Sequence, residues 1–440
     1  MLIDASCTKK NNKKMGQITI SQIANAFVPA KEITDAALFA GRSEQIKDVL
    51  FALNTDGSNI AVVGNRGIGK SSLARQVINI GQGNNALLEK LGIYHDNKLD
   101  FLTVYFACGN NIKTTDDLLR RLLTTRDCLL TWIYDIPTAA KELAKIQGGL
   151  DVGIVKAGSD ITEEKTVNAA IQSHELDVIF QNVITEILKS KIARNGILIV
   201  IDEFDQIENP SGFAKLLKSL ATNTPGLKFC IVGVAQDIQY LMKEHGSSDR
   251  LFAGSVINLP SMKADELNEI IENAEKTIDE FIKFDETARK KMIVLANGHP
   301  YIVHLIGKQA LRSAYLEPRY TLDEAYISQT LQEIAEKEAD PVLEGRYKKA
   351  VASSYQREGV LKSLVTVIQA DGEILTSDAY KVALDYDIDN PSQYVGHLIS
   401  EEYGAELLKL RERYYRFKDS LFATYVKARP WLTSKNNYRV

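Results

Sequence analysis

One stretch limits the folds open to this chain more than any other: Gly64-Asn65-Arg66-Gly67-Ile68-Gly69-Lys70-Ser71. It satisfies G-x-x-x-x-G-K-[ST], a phosphate-binding loop, at every required position. The flanks fit as well. Ile60 to Val63 reads as a buried strand entering the loop, and Ser71 to Ile80 reads as the helix leaving it. The glycines let successive backbone N–H groups turn inward on an anion. The helix that follows points its positive dipole end at the same place. Asn65, Arg66, Gly67, Ile68 and Gly69 would form the cradle, with Ser72 in the first helical turn. Lys70 would reach the β- and γ-phosphates, and Ser71 would ligate Mg²⁺. The plainer alternative is a glycine-rich turn without a ligand.

A second segment narrows the choice. Gly196 to Asp205 reads GILIVIDEFD. The apolar run Ile197–Ile201 suits a strand buried on both faces, as in a parallel sheet. It ends in Asp202-Glu203, the Walker B pattern. Asp202 would hold Mg²⁺, directly or through water, and Glu203 would act as general base on the attacking water. Asp205 is placed to cap the next helix.

Strand-like and helix-like runs alternate to about residue 260, including Phe101–Cys108, Thr114–Thr124 with an N-cap threonine, Phe213–Ala221 and Lys228–Val234. This alternation predicts an α/β fold, a parallel sheet with helices on both faces. Residues 131–173 carry Gly148, Gly149, Gly153 and Gly158 among polar residues and read as an irregular insertion or mobile loop, one that could serve as a partner-docking surface. From Ala264 to Ala339 the pattern is helical only. Beyond Gly359, three short helices (Val360–Ala370, Thr376–Leu384, Pro391–Glu401) precede a hairpin, Ala405–Leu410 with Tyr414–Phe417, tipped by Arg411–Arg413. Three helices and a β-wing make a winged helix. The expected divisions are 1–36, a tail and helix; 37–260, the α/β core; 261–345, helical; and 346–440, winged helix with a basic C-terminus.

No apolar run approaches a membrane span, and the N-terminus lacks the apolar segment of a secretory signal. The four cysteines (Cys7, Cys108, Cys128, Cys230) lack C-x-x-C spacing, and the six histidines lack metal-ligand spacing. A cytoplasmic location is expected, with no disulfide framework and no membrane partner. Net charge is −4, yet from Leu408 onward nine Lys/Arg face only Glu412 and Asp419, and Lys9, Lys10, Lys13 and Lys14 add to the N-terminal tail.

Further motifs resemble a family. Phe39-Ala40-Gly41-Arg42 resembles the F-x-G-R motif of AAA+ P-loop ATPases in the origin-recognition-like and STAND-like branches, and Gly298-His299-Pro300-Tyr301 resembles the G-x-P lid signature of STAND-type ATPases. With the P-loop and Ile201-Asp202-Glu203-Phe204-Asp205, the resemblance runs from about residue 37 to 425. It implies ATP and Mg²⁺ as cofactors, Phe39 and Arg42 lining the adenine pocket, and a helical lid. For His299 and Pro300 it leaves two readings, nucleotide contact or a lid turn. It also implies a polar sensor after the Walker B strand, where Gln236 stands in place of the usual Asn or Thr. An arginine finger from a neighbouring subunit falls on Arg250, with a surface ion pair as its plainer alternative. That finger would make the protein a homo-oligomer through its ATP site. Asn97-Lys98-Leu99-Asp100 matches the guanine motif N-K-x-D but precedes Walker B, so a solvated turn and ATP rather than GTP are expected.

Three roles stay open: action on DNA, which is the first expectation, a signalling ATPase, and a transposition or plasmid-maintenance regulator of similar build. A DNA-handling switch is favoured by the winged helix, the wing arginines and the interleaved Tyr414, Tyr415 and Trp431. Against it, the third helix offers only Gln393 and His397 to bases and ends in two glutamates. A STAND-like signalling or antiviral defence ATPase that recruits a separate effector protein is the alternative. It is favoured by the lid motif and by the absence of a second catalytic constellation.

Overall fold

In a computed structural model, residues 18–96, 98–109, 111–144, 173–234, 252–369 and 372–433 are described. They form two compact units: Ser43–Gly64 with Lys70–Leu259, and Met1–Arg42 with Asn65–Gly69 and Pro260–Val440.

The first unit is built on a five-stranded parallel sheet: β1 (Ile60–Gly64), β2 (Phe101–Ala107), β3 (Gly196–Asp202), β4 (Leu227–Gly233) and β5 (Val256–Leu259), in the order β2-β3-β4-β1-β5. Ile197 to Ile201 is buried at every position, which is why β3 shows no polar alternation. The helix Thr115–Thr124 begins at Thr114, whose hydroxyl accepts from Asp117 N while Asp117 returns a bond to Thr114 N. Lys228 lies on the sheet with its ammonium buried. Burial pulls its pKa down to about 8, and Nζ donates to the carbonyls of Ala52 (2.9 Å), Thr55 (2.7 Å) and Ser58 (2.7 Å). It thereby closes the C-terminus of the helix Ser43–Asn54 and the loop into β1.

Two expectations change in this unit. Residues 131–144 are not irregular: they form the helices Thr131–Asp135 and Pro137–Ala144, because Ile133, Ile136 and Ala139 supply an apolar face that packs into the sheet-side core. The glycine-rich remainder, 145–172, lies outside the described residues. Asp205 caps no helix. It sits inside the short 3-10 turn Phe204–Gln206, while Gly212 precedes the helix Phe213–Asn223.

The second unit is mainly helical. Ala264–Thr277, Glu286–Ala296, Pro300–Leu316 and Glu324–Glu336 pack with the helix Ile20–Ala26 around one apolar core. The expectation of helices alone misses a small parallel pair, β6 (Lys283–Phe284) and β7 (Thr321–Leu322). The winged helix follows: Tyr355–Thr366, β8 (Ile374–Leu375), Thr376–Asp385, Pro391–Ile399, β9 (Leu407–Arg411) and β10 (Tyr414–Phe417), with sheet order β8-β10-β9. Its first helix starts at Tyr355, capped by Ser354, rather than after Gly359. Gly359 lies inside this helix, and Ile388 fills the space a side chain there would take, 2.6 Å from an added Cβ. A buried polar cluster ties this fold together. Glu344 is fully buried and accepts from Arg429 Nε (2.9 Å), Arg429 Nη2 (2.7 Å) and Tyr425 Oη (2.8 Å). Glu358 accepts from Tyr347 Oη (2.5 Å) and Thr433 N (2.8 Å).

Candidate nucleotide site

The candidate residues are divided between the two units, and each group has its own geometry. In the sheet unit, β1 ends at Gly64 and the helix Lys70–Gly81 begins with Lys70 and Ser71. β3 ends at Asp202. Because the strands are parallel, their C-terminal ends share one edge of the sheet, the edge where α/β proteins bind ligands. Asp202 is 2% exposed. Its Oδ1 accepts from the backbone N of Glu203 (2.8 Å) and its Oδ2 accepts from the phenol of Tyr105 (2.7 Å). Its carbonyl accepts from Cys108 N (2.8 Å). Burial, with Asp202, Glu203 and Asp205 nearby, pushes the Cys108 thiol up to about 12, so it stays protonated and inert.

Glu203 leaves the strand with φ +54°, a left-handed conformation that non-glycine residues seldom adopt, and its side chain is exposed. The strained residue after Asp202 turns the chain off the sheet edge while keeping a carboxylate there. The donor set fits Mg²⁺. A serine hydroxyl and one carboxylate are hard oxygen ligands, and Mg²⁺ completes its shell with phosphate and water rather than with a protein cage. Among the described residues, no group of three or more His, Cys, Asp or Glu offers such a cage.

In the helical unit the loop Asn65–Gly69 carries two glycines in left-handed conformations, Gly67 at φ +70° and Gly69, which the motif requires, at φ +100°. Arg42 is 4% exposed. Its Nη2 donates to the Ile68 carbonyl (3.0 Å) and its Nη1 to the Pro260 carbonyl (2.7 Å). The Phe39–Arg42 turn is fixed in turn by two carboxylates of the helix Ala264–Thr277. Glu266 Oε1 accepts from Arg42 N (2.7 Å) and Glu269 Oε2 accepts from Gly41 N (2.9 Å). Phe39 is buried. Leu421, at the start of the helix Ser420–Ala428, lies against Gly67, 2.9 Å from where a Cβ would stand. Arg66 lies near enough to act electrostatically on Tyr301, whose phenol donates to Asp340; burial is the main reason its pKa is raised.

His299 is the residue before Pro300, which opens the helix Pro300–Leu316. It is 3% exposed, its Nδ1 has no hydrogen-bond partner among the described residues, and burial pulls its pKa down to about 4 against the opposing pull of Asp419. The imidazole is therefore neutral at pH 7.

Gln236 and Arg250 lie outside the described residues. In the N-K-x-D segment, Asp100 accepts from Arg194 N and Nε (3.1 and 3.3 Å) and Leu99 is buried, while Asn97 lies outside the described residues. Residue-by-residue reading missed Tyr105, Arg75, Glu266, Glu269 and Leu421. None left a trace in the sequence: Tyr105 shares a face with Asp202 only through the pairings Tyr105↔Val200 and Ala107↔Asp202, which are set by the strand register.

The wing carries less free charge than its sequence suggests. Arg411 forms a two-pronged pair with Glu373 (3.0 and 2.6 Å) and stacks on Tyr414 at 3.7 Å. On the third helix, His397 stacks on Tyr403 and meets Arg357 Nη1 at 3.2 Å. Lys409, Arg413 and Lys418 are exposed.

A parallel sheet with a P-loop after β1 and an acidic pair where β3 ends defines a P-loop NTPase. Residues 30–438 match the sequence model of Novel STAND NTPase 1, and the chain belongs to that family. Among solved structures it is similar to Cdc6p from Pyrobaculum aerophilum (12% identity, 93% of this chain and 98% of that one, TM-score 0.43). It is also similar to the ORC2 protein of Aeropyrum pernix in its ADPNP–ADP complexes (14%, 88% and 93%, TM-score 0.44). A third is the RuvB Holliday junction branch migration motor of Thermotoga maritima (12%, 86% and 93%, TM-score 0.39). No curated protein matches the chain. Among the described residues, no helix is long and apolar enough to cross a membrane.

Proposed function

We propose that this protein binds ATP with Mg²⁺, hydrolyses it, and works as a nucleotide-dependent oligomeric switch. The observation that carries the reading is the common sheet edge of the Lys70-Ser71 helix start and the Asp202-Glu203 pair, in a chain of an NTPase family. Lys70 would neutralise the β/γ-phosphates, and Ser71 and Asp202 would hold the metal. When bound, Mg²⁺ would offset charge on the phosphate oxygens. Glu203 would take the proton of the attacking water. Phe39, Arg42, Asn65–Gly69, Ser72, His299 and Pro300 are proposed to contribute to nucleotide recognition. Gln236 is proposed as sensor and Arg250 as the finger offered to the next subunit.

For the downstream role, a STAND-like signalling platform that recruits a separate effector fits better than direct DNA reading. Arg411 is paired with Glu373, and His397 is engaged by Arg357 and Tyr403, so one wing arginine and one of the two base-reading candidates of the third helix are already engaged within the protein. The exposed Lys409, Arg413 and Lys418 keep DNA as the competing outcome. The test is mass photometry of Glu203→Gln with Mg²⁺-ATP, with and without duplex DNA. Assembly with ATP alone supports the signalling platform. Assembly that needs DNA, and weakens steeply with salt, supports the DNA switch instead. No ATP-dependent assembly under either condition refutes the oligomeric switch.

A further inference from the structure

The Walker B carboxylate is held by a side chain that lies on a different strand and outside every motif. Tyr105 donates to Asp202 Oδ2 (2.7 Å), and its ring lies under the guanidinium of Arg75, 3.4 Å from carbon to centroid. Arg75 belongs to the helix Lys70–Gly81, five residues after the P-loop lysine. The register explains the reach. Tyr105 pairs with Val200, and Val200 and Asp202 share a face of β3, so the phenol extends along that face to the strand's end. The other oxygen, Oδ1, accepts from Glu203 N (2.8 Å), so both oxygens of the carboxylate are fixed.

From this geometry we infer that Tyr105 is a positioning residue for Asp202, and that Arg75 links it to the phosphate-binding helix. The inference rests on the proposed Mg²⁺-ATP site. Two bonds from opposite sides lock the carboxylate plane and choose its rotamer. The cation on the ring polarises the phenol and strengthens its donation. A displacement of the helix that begins at Lys70 would reach Asp202 through two contacts, so the lysine and the metal carboxylate are kept in step. Partners that orient a metal ligand typically matter 10- to 100-fold in metal affinity.

The test separates metal positioning from bulk stability. Binding of a fluorescent, non-hydrolysable ATP analogue (mant-AMPPNP) is measured in EDTA and across a Mg²⁺ titration, for the wild type, Tyr105→Phe and Arg75→Gln. Tyr105→Phe removes one hydroxyl and keeps the ring. The expected result is a Mg²⁺ midpoint raised about 10-fold or more, with binding in EDTA unchanged. Arg75→Gln should shift the midpoint the same way by less, and it decides the question if Tyr105→Phe loses its cooperative melt. Wild-type and variant midpoints within twofold overturn the inference alone. A wild type that binds no analogue at any Mg²⁺ concentration overturns the ATPase reading and the inference with it.

Discussion

His299 makes the stability of the helical unit depend on pH below neutrality, by an amount the structure sets. The imidazole is 3% exposed and its Nδ1 has no partner among the described residues, so its charged form is disfavoured and its pKa falls from 6.5 to about 4. In the unfolded chain it titrates near 6.5. Between those values the unfolded state binds the proton and the folded state does not, so stability falls as pH drops through 6.5 and levels off below 4. The full depression corresponds to about 3 kcal/mol. At pH 5 about 2 kcal/mol of it is already lost, and at pH 7.5 almost none.

The assay is urea unfolding at pH 7.5 and pH 5 in a Trp132→Phe background. That substitution leaves Trp431, stacked on Tyr355 in the helical unit, as the remaining tryptophan. Carboxylates also titrate toward acid, so the informative quantity is a double difference against His299→Gln, which cannot titrate. The wild type should lose about 2 kcal/mol more than the variant between the two pH values. A double difference under about 0.5 kcal/mol would refute the claim that this imidazole is buried and neutral.

Four other outcomes follow from named contacts. Glu203→Gln should keep ATP binding while turnover falls about 10²- to 10⁴-fold, read by phosphate release; unchanged turnover sinks its role as base. Lys70→Ala should abolish nucleotide binding in a filter or fluorescence titration while the melting curve stays cooperative. Lys228→Met removes the shared donor of three carbonyls and should cost about 2–3 kcal/mol in the unfolding transition of the sheet unit, followed by Trp132. Glu344→Gln leaves the Arg429 guanidinium buried without its counter-charge and should cost about 3–5 kcal/mol in the transition reported by Trp431.

What could be read from the sequence was what short-range chemistry dictates. The P-loop, the apolar run into Asp202, the Thr114 cap and the wing hairpin each depend on neighbours within a few residues, and each sits where spacing placed it. Reading faltered where local signals competed. Gly359 read as a break because glycine is a poor helix former, yet it marks the place where Ile388 needs room. The residues 131–144 were absorbed into a glycine-rich neighbourhood, and their two helices, Thr131–Asp135 and Pro137–Ala144, are short and broken at the extended Ile136, so neither carries a long periodic signal.

The bonds that hold the candidate site in place were not legible at all, and the reason is their span. Tyr105 meets Asp202 across 97 positions, Arg42 meets Ile68 across 26, and Glu266 and Glu269 meet the Arg42 turn across more than 200. Arg42 shows what such spans add to a motif. F-x-G-R implies that it lines the adenine pocket; the structure adds that its guanidinium is bonded to the carbonyls of Ile68 and Pro260, and its own backbone N–H to Glu266. The identity of the residue came from a local pattern. What its donors bind was decided by a helix more than two hundred residues away.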